Sequence, residues 1–381
     1  MSSTRKIPVL DLKLAEDPST RGLLLDQLHD ALFNIGFLYI SNHGVSEEII
    51  SALSEKIPAL FRLPLERKRE LSKTKSPQFL GFSDFAQETT QGKLDLREQY
   101  DIATELPEVY QKDAVPNDRG RDFSNLYWRL RGPNVWPSEK EVPGFRKAAN
   151  EFLNAFAELS YSFVHLVEEA FGIPRGTFDS FFNKNAASNT ADSTLESDFL
   201  PPQHRLRLNF YPAMPPEQEG QGVGPHKDMA GWLTFLHQVG SECALEVQDR
   251  DGSWISVDPI PNTLVVNLGY AFEAATEGAA RATVHRVRAP SQKDRYSIPF
   301  FMALPLELKL SEVRSRIPES VRAMRRKELE NGEWTIDQKI ETFLDPRWDN
   351  IGESVLRRFI RGYKETALKF YGQEVYQYYT Q

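Results

Sequence analysis

The chain has 381 residues, 40% of them hydrophobic and 26% charged, and a net charge of −8. That length allows one large domain or two modest ones with a sizeable core, and no basic run or stripe suggests nucleic acid or an anionic membrane as a partner. Cys243 is the single cysteine, which excludes an intrachain disulfide and a thiolate zinc cluster and fits a reducing compartment.

The opening MSSTRKIPVLDLKLAEDPS has no apolar core long enough for a signal peptide, and no run reaches the ~20 apolar residues that span a bilayer. The expected location is the cytoplasm. Ile7 to Leu12 reads as a short strand. Arg21 to Asn34 reads as an amphipathic helix with Leu24, Leu25, Leu28, Ala31 and Leu32 on one side, ended by Gly36. GFLYISNHG follows as a strand running into a turn. A second helix starts near Ser46, where Glu47 and Glu48 suit its positive end. Pro107 to Pro143 is rich in proline, glycine and charge, and reads as a long surface excursion. Phe145 to Phe171 is the clearest helix: apolar residues recur at steps of four and three, and Gly172 and Pro174 end it. Asn183 to Pro202 is polar and reads as a loop.

From Arg205 to Leu304 the texture changes. RLRLNFY, WLTFLHQV, LEVQD, WISVDPI, TLVVNLG, ATVHRVRA and RYSIPFFMAL are short β-rich runs separated by turn formers. Such spacing indicates a sandwich or barrel of jelly-roll size. After Pro305 the chain turns charged and helical again.

The chemistry concentrates in the β-rich part. His226 and Asp228 are two apart, so on an extended chain they point the same way. His29, His43, His165, His204 and His237 read as structural or surface histidines. His285 sits inside ATVHRVRA, far enough from Asp228 for several strands to bring the two together. Two histidines and a carboxylate would form a facial triad, which suits Fe(II) and leaves adjacent coordination positions open. An isolated H-x-D occurs easily by chance, so other clusters must add weight. Arg207, Asn209 and Tyr211 share one face of RLRLNFY and point inward, where a buried cation needs an anionic partner. Arg295 and Ser297 share a face of RYSIPFF, and a guanidinium fork beside a hydroxyl suits one carboxylate.

RLNFYP, HKD, HRV and RYS, in this order, resemble the R-x-N-x-Y-P, H-x-D, H-R-V and R-x-S motifs of the non-haem Fe(II)/2-oxoglutarate-dependent dioxygenases, the superfamily that includes isopenicillin N synthase. IPVLDL, GFLYISNHG, FRLPLERK, GKLDLREQY and WPSEKEVPGF resemble its N-terminal domain, so the likeness runs over roughly residues 7 to 305. The resemblance implies an α+β, mainly β fold: a double-stranded β-helix, or jelly roll, with flanking helices. It implies an N-terminal helical region over 1–185, a dioxygenase core over 200–305 and a helical C-terminal extension or lid over 306–381. It implies His226, Asp228 and His285 as catalytic iron ligands. Arg295 and Ser297 would bind the far carboxylate of 2-oxoglutarate, with Tyr211 and Asn209 contacting the same cosubstrate. Phe301 would line the substrate pocket. Trp232 is either substrate-facing or core, and an inward Arg207 suggests an acceptor group on the substrate.

The implied cofactors are Fe(II), 2-oxoglutarate as cosubstrate and O2. The implied reaction couples decarboxylation of 2-oxoglutarate to succinate with hydrogen removal from an unactivated C–H bond of a small molecule, by hydroxylation, desaturation or cyclisation in secondary metabolism. The alternatives are an Fe(II) oxidase that needs no 2-oxoglutarate, whose R-x-S pair would hold the substrate, and a non-catalytic binding module on the same fold. Two departures stand out. Leu233 lies five residues beyond Asp228 where much of the family has one fewer, which suggests a bulge near the metal. Tyr270 follows Gly269 where many relatives carry an acid.

Overall fold

A computed structural model describes residues 6–118, 120–182, 199–215, 220–229, 231–332 and 346–381. The N-terminal part supplies β1 (Val9–Asp11), β2 (Phe37–Ser41), β3 (Gly81–Ser83), a small hairpin of β4 (Thr89–Thr90) and β5 (Lys93–Leu94), and β6 (Glu98–Ala103). The β-rich stretch supplies β7 (Arg205–Tyr211), β8 (Gln221–His226), β9 (Leu233–Val239) and β10 (Leu245–Gln248), then β11 (Trp254–Ser256), β12 (Thr263–Leu268), β13 (His285–Arg288) and β14 (Arg295–Phe301). β8 was hidden from a propensity reading because Gly222, Gly224 and Pro225 are poor strand formers.

The strands form a large sheet, β1-β2-β12-β9-β14-β7-β6-β3, and a smaller one, β11-β10-β13-β8. β1 and β2 run parallel, while β7, β9, β12 and β14 pair antiparallel with their neighbours. This is the jelly roll with flanking helices. Its outer sheet face is dry. Leu206, Leu208, Phe235, Ile298 and Phe300 pack there against Phe152, Phe156 and Phe163 of the long helix Phe145–Ala170. Strand alternation then turns Arg207, Asn209, Arg295 and Ser297 toward the interior, as expected from the sequence.

The helices differ in detail from the sequence reading. The first, α1 (Pro18–Asp30), has Asp17 as its N-cap and ends in one wider turn over Ala31–Ile35. Gly36 stops it at φ 75°, where a Cβ would lie 2.2 Å from the Arg281 carbonyl oxygen. α2 (Glu47–Ser54) is capped by Ser46 as expected. The surface excursion over 107–143 is only partly on the surface: Leu126–Leu130 forms a short 3₁₀ turn that buries Tyr127, Trp128 and Leu130. These residues join Phe79, Leu356, Phe359 and Tyr371 in a separate cluster under the C-terminal helices Ile351–Gly362, Lys364–Tyr371 and Gln373–Thr380. Much of the polar loop expected over Asn183–Pro202 lies outside the described residues, as does the end of the helix-like stretch that closes at Lys339. No helix among the described residues is long and apolar enough to cross a membrane.

Candidate active site

Strand register builds the site. β13 pairs with β8 so that His285 lies directly opposite His226, with ring centroids 4.3 Å apart. Asp228 follows just past the end of β8. Its Oδ1 is 3.9 Å from His226 Nε2 and 3.7 Å from His285 Nε2. The three ligand atoms lie within 4.8 Å of one another, and among the described residues no other group of His, Cys, Asp or Glu converges this way.

Each ligand is held by a partner behind it. His226 Nδ1 donates to the Gly224 carbonyl at 2.8 Å, and His285 Nδ1 to the Thr283 carbonyl at 3.1 Å. Both Nε2 atoms therefore stay available on the Asp228 side. Asp228 Oδ2 accepts from Thr234 Oγ1 at 2.8 Å and Asn267 Nδ2 at 2.7 Å, which leaves Oδ1 toward the histidines. Burial pushes the Asp228 carboxyl up, but His285, His226 and these two donors outweigh it and hold it below its ordinary value. Burial, then the adjacent His285, push the His226 imidazole down to about 3, with Asp228 opposing. A neutral imidazole beside an ionised carboxylate is the state a divalent cation needs. The donor set and its spacing fit Fe(II).

Residues after Asp228 pass close under Gly269, and the β13–β8 pairing carries a register shift between His285 and Val287, an irregularity beside the metal site on the His285 strand. Tyr270 N–H donates to the Asp228 carbonyl at 2.8 Å, and a Cβ on Gly269 would lie 1.6 Å from the Gly231 carbonyl oxygen. Tyr270 itself is fully buried.

Register also builds the anion site. Arg295 lies opposite Tyr211, and Ser297 opposite Asn209. Arg295 is 2% exposed, with Nη2 donating to Gln238 Oε1 at 3.0 Å. Its Nε and Nη1 are buried without a protein partner. Burial lowers its pKa, with Tyr211 opposing. Unpaired guanidinium donors in a dry cavity are costly unless an acceptor comes to them. One carboxylate of a keto diacid fits that need, and Asn209 Nδ2 to Ser297 Oγ at 3.2 Å fixes the neighbouring wall.

The His226–Asp228–His285 cluster, Arg295, Ser297, Asn209 and Tyr211 line one cavity of ≈ 350 Å³, and Phe301 lines it too. Two expectations change. Trp232 is 1% exposed and packs edge-on against Phe178 and Phe272, so it belongs to the core and not to the substrate wall. Arg207 does face inward, but Asp101 already grips it at 2.7 and 3.0 Å, so it has no unmet need for a substrate acceptor. Asp101 also pairs with Lys73, while Glu88 pairs with Arg97 at 2.7 Å and accepts from the Tyr363 hydroxyl. Burial pushes both acids up, yet these cations hold them below the usual carboxylate range.

Sequence reasoning missed Thr234, Asn267, Gln238, Glu88, Arg97, Asp101 and Tyr363. Thr234 and Asn267 carried a signal: each is a polar residue inside an otherwise apolar strand run. The other five carried none, because their partners come from distant segments. His204 is 2% exposed and bonded to Tyr161, and His165 bonds Asp179, so both are structural as expected.

Two family models match the chain: a non-haem dioxygenase N-terminal domain, described from morphine synthesis, over residues 7–139, and the 2OG-Fe(II) oxygenase superfamily over 202–303. The 2-oxoglutarate-dependent dioxygenase frbJ of Dothideomycetidae sp. is 34% identical over 370 residues, covering 96% of this chain and 91% of that protein. A 2-oxoglutarate-dependent dioxygenase of Gibberella zeae is 29% identical, covering 97% and 92%. Among solved structures, a Neurospora crassa protein in complex with alpha-KG and thymine superposes with a TM-score of 0.62 at 25% identity, covering 81% of this chain and 88% of that one.

Proposed function

The chain belongs to the 2OG-Fe(II) oxygenase superfamily and is a 2-oxoglutarate- and Fe(II)-dependent dioxygenase, and from that premise we propose a role for each residue of the site. His226, Asp228 and His285 would hold Fe(II), with Arg295 and Ser297 placing the cosubstrate in the same cavity. Bound together, iron, 2-oxoglutarate and O2 supply an oxidant able to remove hydrogen from an unactivated C–H bond. Arg295 and Ser297 take the far carboxylate of 2-oxoglutarate. Tyr211 adds a contact beside Arg295. Asn209 fixes the Ser297 hydroxyl, and Arg97 Nη1 steadies Asn209 Oδ1 at 3.3 Å. Phe301 and Pro299 keep water from the reacting end of the cavity.

The observation that carries this reading is the buried, half-satisfied Arg295 in one cavity with a converged His-Asp-His cluster. The substrate is a small molecule, in keeping with a structural relative solved with thymine, and secondary metabolism is the setting we propose for it. Its net charge of −8 supports a reading without nucleic-acid or anionic-membrane partners, and we propose the cytoplasm as its location.

The test is an anaerobic titration of the purified chain with Fe(II), then 2-oxoglutarate, watching for a visible metal-to-ligand charge-transfer band. The band should be lost in Asp228→Ala and weakened in Arg295→Ala. Iron binding with no band would sink the cosubstrate assignment and leave Arg295 as a clamp on the substrate's own carboxylate.

A further inference from the structure

The cavity's cations can be matched to acids one by one. Arg97 has Glu88, Arg207 has Asp101, and Lys227 has Glu273 at 2.8 Å. Arg295 awaits the cosubstrate. Arg205 and Arg358 remain.

Arg205 begins β7 on the same inner face as Arg207. Its Nη2 donates to the Gln78 carbonyl at 2.7 Å, and among the described residues no carboxylate pairs with it. Arg358 comes from the C-terminal helix Ile351–Gly362 and is half-buried. Among the described residues it makes no hydrogen bond and no ion pair. Both guanidinium groups lie against the ring of Phe359, at 4.2 and 5.6 Å from its centroid. Both line the same cavity as the iron site. Nearby Gln203 carries no charge to offset them, and its amide is engaged by the Thr104 and Gly132 carbonyls and the Gly132 N–H.

Two like charges that share an apolar wall repel, and the repulsion grows as water is excluded. Burial pulls the Arg205 guanidinium down to about 10, with Asp101 opposing and Arg207 and Arg358 adding to the fall. An anion placed between the two would reverse that penalty, and forked guanidinium groups favour planar or tetrahedral oxyanions.

We propose that the oxidised substrate carries an anionic group, a carboxylate or a phosphate monoester, held by Arg205 and Arg358. The anion sits at the end of the cavity under the C-terminal helices. The rest of the molecule runs past Leu304 toward Phe301 and the iron. Arg358 thereby ties the helix Ile351–Gly362 to substrate binding. This inference rests on the functional reading above for the direction in which the substrate points.

The probes are ω-phenylalkyl carboxylates of increasing chain length, their primary amides, and the matching phosphate monoesters. Binding is measured by anaerobic calorimetry on the full chain, both metal-free and loaded with Fe(II) and saturating 2-oxoglutarate. Loading occupies Arg295, so any remaining preference for the anion reports the other pair. At least one anion should bind more tightly than its amide, and the better of the two anion series identifies the group. Arg358→Gln should weaken that anion about tenfold or more and leave its amide unchanged, with Arg358→Lys partly restoring it. In the metal-free chain Arg295 is itself open to a carboxylate, so the measurement there is made on Arg295→Gln, which should still bind the anion more tightly than its amide. Equal binding of anions and amides, no binding of either, or an Arg358→Gln variant that binds the anion like the parent would overturn the proposal. Failure of the charge-transfer band alone would count against the cosubstrate reading and not against this site, because the metal-free measurement does not need it.

Discussion

Thr234→Val is a sharp test of how the iron site is held. The substitution keeps the shape of a side chain that is 3% exposed and removes one hydroxyl. That hydroxyl gives Asp228 Oδ2 one of its two hydrogen bonds, at 2.8 Å; the other comes from Asn267 at 2.7 Å. A hydrogen bond to a charged acceptor contributes about 1.5–3 kcal/mol. At about 1.4 kcal/mol per decade, Fe(II) affinity should fall roughly 10- to 100-fold, in the range found for partners of metal ligands. The direction with pH follows as well. With a donor gone, the Asp228 carboxyl moves up toward the value that burial alone would set, so iron binding should fail at a higher pH than in the parent. The assay is anaerobic competition against a chromophoric chelator across a pH series. Unchanged affinity together with an unchanged pH profile would refute the claim that Oδ2 is the positioned oxygen and Oδ1 the ligand.

Three further outcomes follow from the packing. Tyr363→Phe removes a hydroxyl that accepts from Lys73 at 3.0 Å and from Arg207 and Gln99 at 3.3 Å, and that donates to Glu88. It should cost about 1–3 kcal/mol and loosen the last helices, read as a lower unfolding midpoint with faster amide exchange there. His204 is held neutral: the Ala303 N–H donates to Nδ1 at 3.0 Å, so Nε2–H faces the Tyr161 oxygen at 2.6 Å. Burial pulls its pKa down to about 3 from 6.5, so the unfolded chain binds the proton first and stability falls as pH drops from 6.5 toward 3. Between pH 7 and pH 5 this residue should account for about 2 kcal/mol of lost stability, a slope missing from His204→Gln in denaturant titrations. Trp232→Ala should cost about 3–5 kcal/mol by opening the core beside Phe178 and Phe272, while the folded fraction keeps its substrate KM. A changed KM would restore Trp232 to the pocket.

The ligands and the anion site were legible because strand alternation is local. His226 and Asp228 two apart, or Arg295 and Ser297 two apart, share a face wherever the chain is extended. That His226 and His285 become neighbours depended on a register between β8 and β13, and only the likeness to a known family suggested it. Trp232 shows the limit of the method. An aromatic four residues after Asp228 reads as a pocket wall, yet its backbone N–H is tied to the Met302 carbonyl at 2.8 Å and its ring turns outward to the helices. Arg207 shows the other limit. Its inward direction was readable, but its partner Asp101 sits on β6, over a hundred residues earlier, and only the β6–β7 register brings the two opposite each other.

The barrel's contents also bound the site. One end of the space between the sheets is filled by Tyr39, Val247, Val257 and Val265, an apolar plug. Phe37 belongs to that plug and meets the His285 ring edge-on at 5.1 Å, so the iron site sits where the plug stops. Beyond it the same interior turns polar, with Arg97, Arg207, Asp101 and Glu88 paired across it. Val355, Phe359 and Tyr363 of the C-terminal segment cover the far end of the cavity. The large sheet is sealed outside by Phe156 and Phe163. The helix Ile351–Gly362 forms one wall of the cavity, and the Tyr363 hydroxyl next to its end ties it to the barrel through Lys73, Arg207 and Glu88. Loosening that tie should speed entry and product release at a cost in stability, whereas removing the Arg358 charge should weaken the hold on the substrate and leave the fold in place. The two substitutions lie five residues apart and should have opposite signatures.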